Sequence, residues 1–94
     1  MRLHELEKRV IVNAIKRIDS ESKIFLFGSR VDDTRKGGDI DLLILTEKIS
    51  YDDKLAIKKE FFYKLEEQKI DIVISRDGEE PFVKMIFEQG VELG

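Results

Sequence analysis

Two aspartates, Asp39 and Asp41, stand at the head of the most apolar run in the chain, and a third, Asp71, interrupts another such run, Ile70-Asp71-Ile72-Val73-Ile74. Side chains two apart on a strand point to the same face, roughly 7 Å apart along it. Two carboxylates so placed repel each other and are costly to bury unpaired, and a hard cation between them is the natural compensation. Magnesium suits such an all-oxygen site, completed by water and phosphate oxygens. A third carboxylate from a neighbouring strand gives a ligand set able to hold two magnesium ions for in-line attack at phosphorus. Each residue taken alone also has a plainer reading. Asp39 and Asp41 could mark a solvent-exposed strand end, and Asp71 could be satisfied by edge exposure or by Lys69.

A second feature lies upstream, where Lys23-Ile24-Phe25-Leu26-Phe27 stops at Gly28-Ser29. A glycine at the end of a buried strand lets the backbone approach a ligand closely, and a serine followed by exposed amides can cradle a phosphate if a helical turn begins there. A lone Gly-Ser is otherwise an ordinary strand-to-loop turn.

Composition leaves carboxylates as the only available catalysts. The 94 residues contain no cysteine and one histidine, His4. Thiol chemistry, disulfides, sulfur-bound zinc and multi-histidine metal sites are excluded, and a serine triad would have to run through His4 near the N-terminus. Seventeen basic against 20 acidic side chains give a net charge of -3. A domain that holds duplex DNA by neutralising phosphates carries a basic excess, so stable DNA binding is not expected. No apolar run reaches membrane-spanning length, and the charged start MRLHELEKRV is unlike a signal peptide, so a soluble cytoplasmic protein is expected.

The elements that must position these residues follow from periodicity. Leu3, Leu6, Val10, Ala14 and Ile18 recur at helical spacing among charged residues and predict a first amphipathic helix. Strands are predicted over Lys23–Phe27, Asp39–Leu45 and Ile70–Ile74, with a polar loop from Arg30 to Gly38. Ser50 with Asp53 three residues on resembles a capping box. Behind it Tyr51, Leu55, Ile57, Phe61, Phe62 and Leu65 fall in one arc of about 160°, predicting a core-facing helix. Arg76-Asp77-Gly78 reads as a turn, and Pro81 opens a last helix, Phe82 to Glu88, stopped by Gly90. The order helix, strand, strand, helix, strand, helix implies an α+β fold of α/β type, a small mixed sheet with helices packed on it, in a single domain over residues 1–94.

Taken together, the residues resemble a known pattern. Phe27-Gly28-Ser29, nine intervening residues, Asp39-Ile40-Asp41-Leu42 and the later Ile70-Asp71-Ile72 resemble the DNA polymerase beta-like nucleotidyltransferase superfamily. More narrowly, GSRVDDTRKGGDIDLLIL is similar to the minimal nucleotidyltransferase (MNT) family, as is the closing Glu88-Gln89-Gly90-Val91-Glu92-Leu93. The resemblance implies that Gly28 and Ser29 contact the β- and γ-phosphates of a nucleoside triphosphate, ATP. It implies that Asp39 and Asp41 ligate two Mg2+ ions, and that Asp71 ligates the second and helps deprotonate the attacking hydroxyl. Arg30, and with it Arg35 or Lys36, would neutralise the triphosphate or the leaving pyrophosphate, although a solvated loop role fits these residues equally. The family further implies an antitoxin that transfers AMP to a tyrosine of a HEPN-type toxin and forms a hetero-oligomer with it.

Larger members of that superfamily carry an added domain for nucleoside and acceptor, and 94 residues leave no room for one, so a partner is expected to supply it. The last helix is a candidate surface, with Phe82, Met85 and Ile86 on one side and Val83 and Phe87 round the other. A helix wedged between the sheet and the first helix is the plainer alternative. Two competing functions remain at this level: a non-catalytic module that neutralises a partner by covering it, and nucleotidyl transfer to an RNA 3′ end.

Overall fold

The computed structural model describes residues 3–31, 39–65 and 69–94. Its elements are α1 (Glu5–Ile18), β1 (Lys23–Phe27), a short 3-10 turn (Gly28–Val31), β2 (Ile40–Leu45), α2 (Tyr51–Lys64), β3 (Ile70–Ser75), α3 (Pro81–Gln89) and β4 (Val91–Glu92). The strands form one mixed sheet in the order β3-β2-β1-β4. β1 runs antiparallel to both neighbours, and β2 pairs in parallel with β3 through the crossover made by α2. The expected α+β architecture is therefore present. The fourth strand was not expected from the sequence: two residues carry no periodic signal, and Val91 and Glu92 are strand only because they pair with Leu26 and Phe25.

Alternation along the strands sorts the sheet into two faces. Ile24 and Leu26, Ile40, Leu42 and Ile44, Ile70 and Ile72 pack with Ile11 and Ile15 of α1 and Ile57 and Phe61 of α2 to form the main core. On the opposite face Leu43 packs with Val83 and Ile86 of α3, flanked by Phe25, Phe27 and Val73. Phe61 is wholly buried, and full burial of such a side chain stabilises by roughly 2–3 kcal/mol. The last helix thus lies on the face away from the first helix rather than between it and the sheet. Val83 and Ile86 are its buried stripe, while Phe82, Met85 and Phe87 stay partly exposed.

Capping sets where the helices begin. Ser50 Oγ accepts from Asp53 N at 3.1 Å, and Ser50 N donates to Asp53 Oδ2 at 3.0 Å, so the expected capping box forms with Asp in place of Glu. At α1 the His4 amide donates to Glu7 Oε1 at 3.0 Å. The buried faces differ from the expected ones. In α1 the stripe is Glu7, Ile11, Ala14 and Ile15, whereas Leu6 and Ile18 are exposed. This helix carries two overlapping apolar rows, and the sheet selects the one with Ile11 and Ile15. In α2 only Ile57 and Phe61 are buried, joined by Leu65 just past its end, leaving Tyr51, Leu55 and Phe62 on the surface. A stripe of residues four apart suffices against β3 and α1, so the predicted arc was too wide.

Candidate active site

The sheet register creates the site. Phe27 of β1 faces Asp41 of β2, and Asp41 faces Asp71 of β3, so the three side chains form one transverse row on the α3 face. Directly paired residues have Cα atoms roughly 5 Å apart. Two carboxylates are thereby placed side by side by backbone hydrogen bonding. The next row on that face, Phe25, Leu43 and Val73, is the apolar ground on which α3 sits. The acids accordingly lie at the edge of a hydrophobic patch.

Asp39 precedes β2 by one residue and is about half exposed, with its Oδ2 3.6 Å from Lys69 Nζ. The expected strand began one residue earlier, but the spacing of two to Asp41 is unaffected. Lys69 stands at the corresponding position before β3, and its carbonyl accepts from Ile40 N at 3.1 Å. The two parallel strands therefore start together, each with a charged residue ahead of its first apolar side chain.

Asp41 carries the electrostatic signature of the site. Partial burial pushes its carboxyl above the usual carboxylate range; Asp71 and then Asp39 raise it further, and Lys69 acts in the opposite sense. Negative charge is thus concentrated where the sheet cannot disperse it. Among the described residues no three acidic or imidazole side chains already converge at metal-ligand spacing. The donor set nevertheless suits a hard cation: all its ligands are carboxylate oxygens, and a positive ion would relieve the repulsion that raises Asp41.

Gly28 completes this corner. It leaves β1 with a φ of 78°, and a β-carbon there would run into Asp41 Oδ2. The glycine is required twice, by a left-handed backbone and by the carboxylate against it. Ser29 and Arg30 follow within the 3-10 turn. Arg30 is half-buried and lines a cavity of about 710 Å3 with His4, Glu5, Leu6, Glu7, Lys64 and Leu65, between the start of α1 and the end of α2. Of the sequence-predicted site, the structure brings together Gly28, Asp41 and Asp71, with Asp39 alongside. Arg35 and Lys36 lie outside the described residues.

Sequence reasoning missed an aromatic wall beside the acids. Phe82, in the first turn of α3, meets Phe27 edge to face with ring centroids 5.8 Å apart, and Phe27 is the residue paired with Asp41. The only signal in the sequence was that Phe27 precedes Gly28. Nothing there links it to a residue 55 positions on.

The model of the family described as polymerase beta nucleotidyltransferase matches residues 10–93. The chain belongs to the polymerase beta nucleotidyltransferase family. Its site acids and Gly28 all fall within the matched span. No curated protein matches this family member in sequence. Among solved structures, it is similar to a chain of the complex between tri-AMPylated HEPN toxin and MNT antitoxin of Shewanella oneidensis. The TM-score is 0.72 at 20% identity, covering 96% of this chain and 71% of that one. That likeness is one of fold. For this nucleotidyltransferase, no helix among the described residues is long and apolar enough to cross a membrane.

Proposed function

We propose that this nucleotidyltransferase moves AMP from ATP to a hydroxyl, a tyrosine of a HEPN-type toxin, and so acts as the antitoxin of a toxin–antitoxin pair. The observation that carries the reading is the transverse pairing of Asp41 with Asp71, with Gly28 against Asp41. Intact acids of this kind destabilise the fold they sit in, which is the mark of a functional site. The toxin–antitoxin assignment draws on the Shewanella complex, whose own description pairs an MNT antitoxin with an AMPylated HEPN toxin.

Asp39, Asp41 and Asp71 would hold two magnesium ions, which when bound supply charge neutralisation at the triphosphate. Gly28 and Ser29 would take the β- and γ-phosphates, since a backbone without a side chain admits them close to Asp41. Arg30 adds positive charge next to that turn. Asp71 receives the proton of the attacking hydroxyl. The hydroxyl oxygen forms a bond to the α-phosphorus, the bond from that phosphorus to the bridging oxygen of the β-phosphate breaks, and the electron pair leaves with pyrophosphate. Before the acids can act together, Asp39 must exchange Lys69 for the incoming cation. A solvent-exposed ion pair of this type is worth at most about 1 kcal/mol, so the exchange costs little.

The chain is tested by incubation with magnesium, ATP labelled on the α-phosphate, and the protein encoded beside it. Label should pass to that protein and pyrophosphate should be released, with loss of transfer on Asp39→Asn. Absence of transfer from the wild type sinks the reading.

A further inference from the structure

We infer that Phe82 is a base-stacking residue, and that the Phe27–Phe82 wall forms the nucleobase subsite of the nucleotide. This rests on the nucleotidyltransferase reading and specifies how its substrate is held. Phe82 is 49% exposed although its ring is fixed edge to face on Phe27, 5.8 Å between centroids. An aromatic side chain fixed by one ring contact and still half exposed offers a platform for a flat ring. Met85, one helical turn on, is 43% exposed and extends the apolar shelf.

Position decides between a subsite and a mere lid on the core. α3 has two aromatic shoulders. At its far end Phe87 packs on Phe25 with centroids 5.0 Å apart and also lies against the Gly78 turn, where a β-carbon would stand 3.1 Å from its ring, so it is contacted from two sides and is less exposed than Phe82. Phe82 instead adjoins the row that holds Asp41 and Asp71. Phe27 is the cross-strand partner of Asp41, and the Phe82 ring centroid lies 5.8 Å from that of Phe27. A nucleotide whose phosphates sit at Gly28 and the acids therefore has the Phe27–Phe82 pair as the aromatic surface adjoining it on this face of the sheet. Stacking strength grows with ring area and tolerates base identity, so the subsite takes purine nucleoside triphosphates in preference to pyrimidine ones without separating ATP from GTP.

Binding of magnesium-ATP and magnesium-tripolyphosphate to the wild-type chain, Phe82→Ala, Phe82→Leu and Phe82→Trp tests this by calorimetry. Phe82→Ala and Phe82→Leu should weaken ATP by about 5- to 100-fold and leave tripolyphosphate within about twofold. Tripolyphosphate binding also reports that each variant is folded. The chain contains no tryptophan, so the fluorescence of Phe82→Trp belongs to this site alone and should be quenched by ATP but not by tripolyphosphate. Equal ATP affinity in wild type, Phe82→Ala and Phe82→Leu overturns the inference while leaving the nucleotidyltransferase reading intact. Loss of transfer to the partner protein with ATP binding unchanged overturns it as well and assigns Phe82 to partner docking. A wild type that binds neither ligand overturns the reading beneath it.

Discussion

Gly28 and Asp41 occupy space that only one of them can fill: with φ at 78°, any β-carbon on Gly28 would overlap the Asp41 carboxylate. The turn that follows β1 and the central acid are thereby locked at contact distance by the absence of a side chain. Gly28→Ala is expected to lower stability by about 1–3 kcal/mol, from left-handed strain and from the displaced carboxylate. For a domain of this size that lowers Tm by roughly 5–15 °C. Transfer activity at a temperature where the variant is folded should fall at least about tenfold, because a small misplacement of a reacting group costs heavily. An unchanged Tm would contradict the geometry.

Asp41 is poised against the fold. Its carboxyl is raised by burial and by Asp71 and Asp39, so folding favours its protonated form over its ionised one. Such a group stabilises most below the ordinary carboxylate range, and that contribution is lost as pH rises through the folded pKa. Asp41→Asn should therefore raise Tm by about 2–4 °C at neutral pH, in line with relief of a partly solvated like-charge contact worth about 0.5 kcal/mol, while abolishing transfer. Magnesium should raise the Tm of the wild type and not of the variant. Thermal unfolding at neutral pH with and without magnesium checks both.

Lys69 tunes the same group from across the strand ends, pairing with Asp39 at 3.6 Å and lowering the Asp41 carboxyl. Lys69→Met should shift the Asp41 titration, followed by carboxyl NMR without metal, towards higher pH. A shift towards lower pH would mean that Lys69 does not act on Asp41.

These predictions rest on residues of unequal legibility in the sequence. Asp39, Asp41, Asp71 and Gly28 were visible because each breaks the apolar pattern of its strand, and the Ser50–Asp53 cap because its chemistry is local. The strand pairing that sets Asp41 beside Asp71 is non-local and had to come from the fold. The same holds for β4, which exists only through its partner strand, and for Phe82, whose place depends on which side of the sheet α3 takes. Helical faces failed where two apolar rows compete on one helix, as Leu6 and Ile11 do on α1.

Away from the site, Asp19 and Thr46 tie the end of α1 to the end of β2. Thr46 Oγ1 donates to Asp19 Oδ2, Glu21 N donates to its Oδ1 at 3.1 Å, and both Asp19 and Thr46 are buried. The Thr46 hydrogen bond leads in holding the Asp19 carboxyl below its ordinary range, against the opposing effect of burial, with Glu21 N, Lys48 and Lys16 helping. A carboxyl lowered by folding stabilises while ionised, and the contribution is lost as pH falls through the folded pKa. Wild-type stability should decline below about pH 4, and Asp19→Asn should flatten that decline while being less stable at neutral pH. Thr46→Val leaves the carboxylate short of a donor and should cost about 1–3 kcal/mol. Urea denaturation across pH 2.5–7 reads both; parallel pH profiles for wild type and Asp19→Asn would remove Asp19 from the account.

Nucleotidyl transfer through Asp41 and Asp71 and simple covering of a partner make opposite predictions for the Asp41→Asn variant. The most direct measurement is the intact mass of the proposed HEPN-type partner after incubation with ATP, magnesium and either the wild-type chain or Asp41→Asn, read together with that partner's remaining activity. Addition of AMP and loss of toxicity are expected with the wild type, and an unmodified, active toxin with Asp41→Asn. An unmodified toxin that is neutralised equally by both chains would contradict nucleotidyl transfer through these acids.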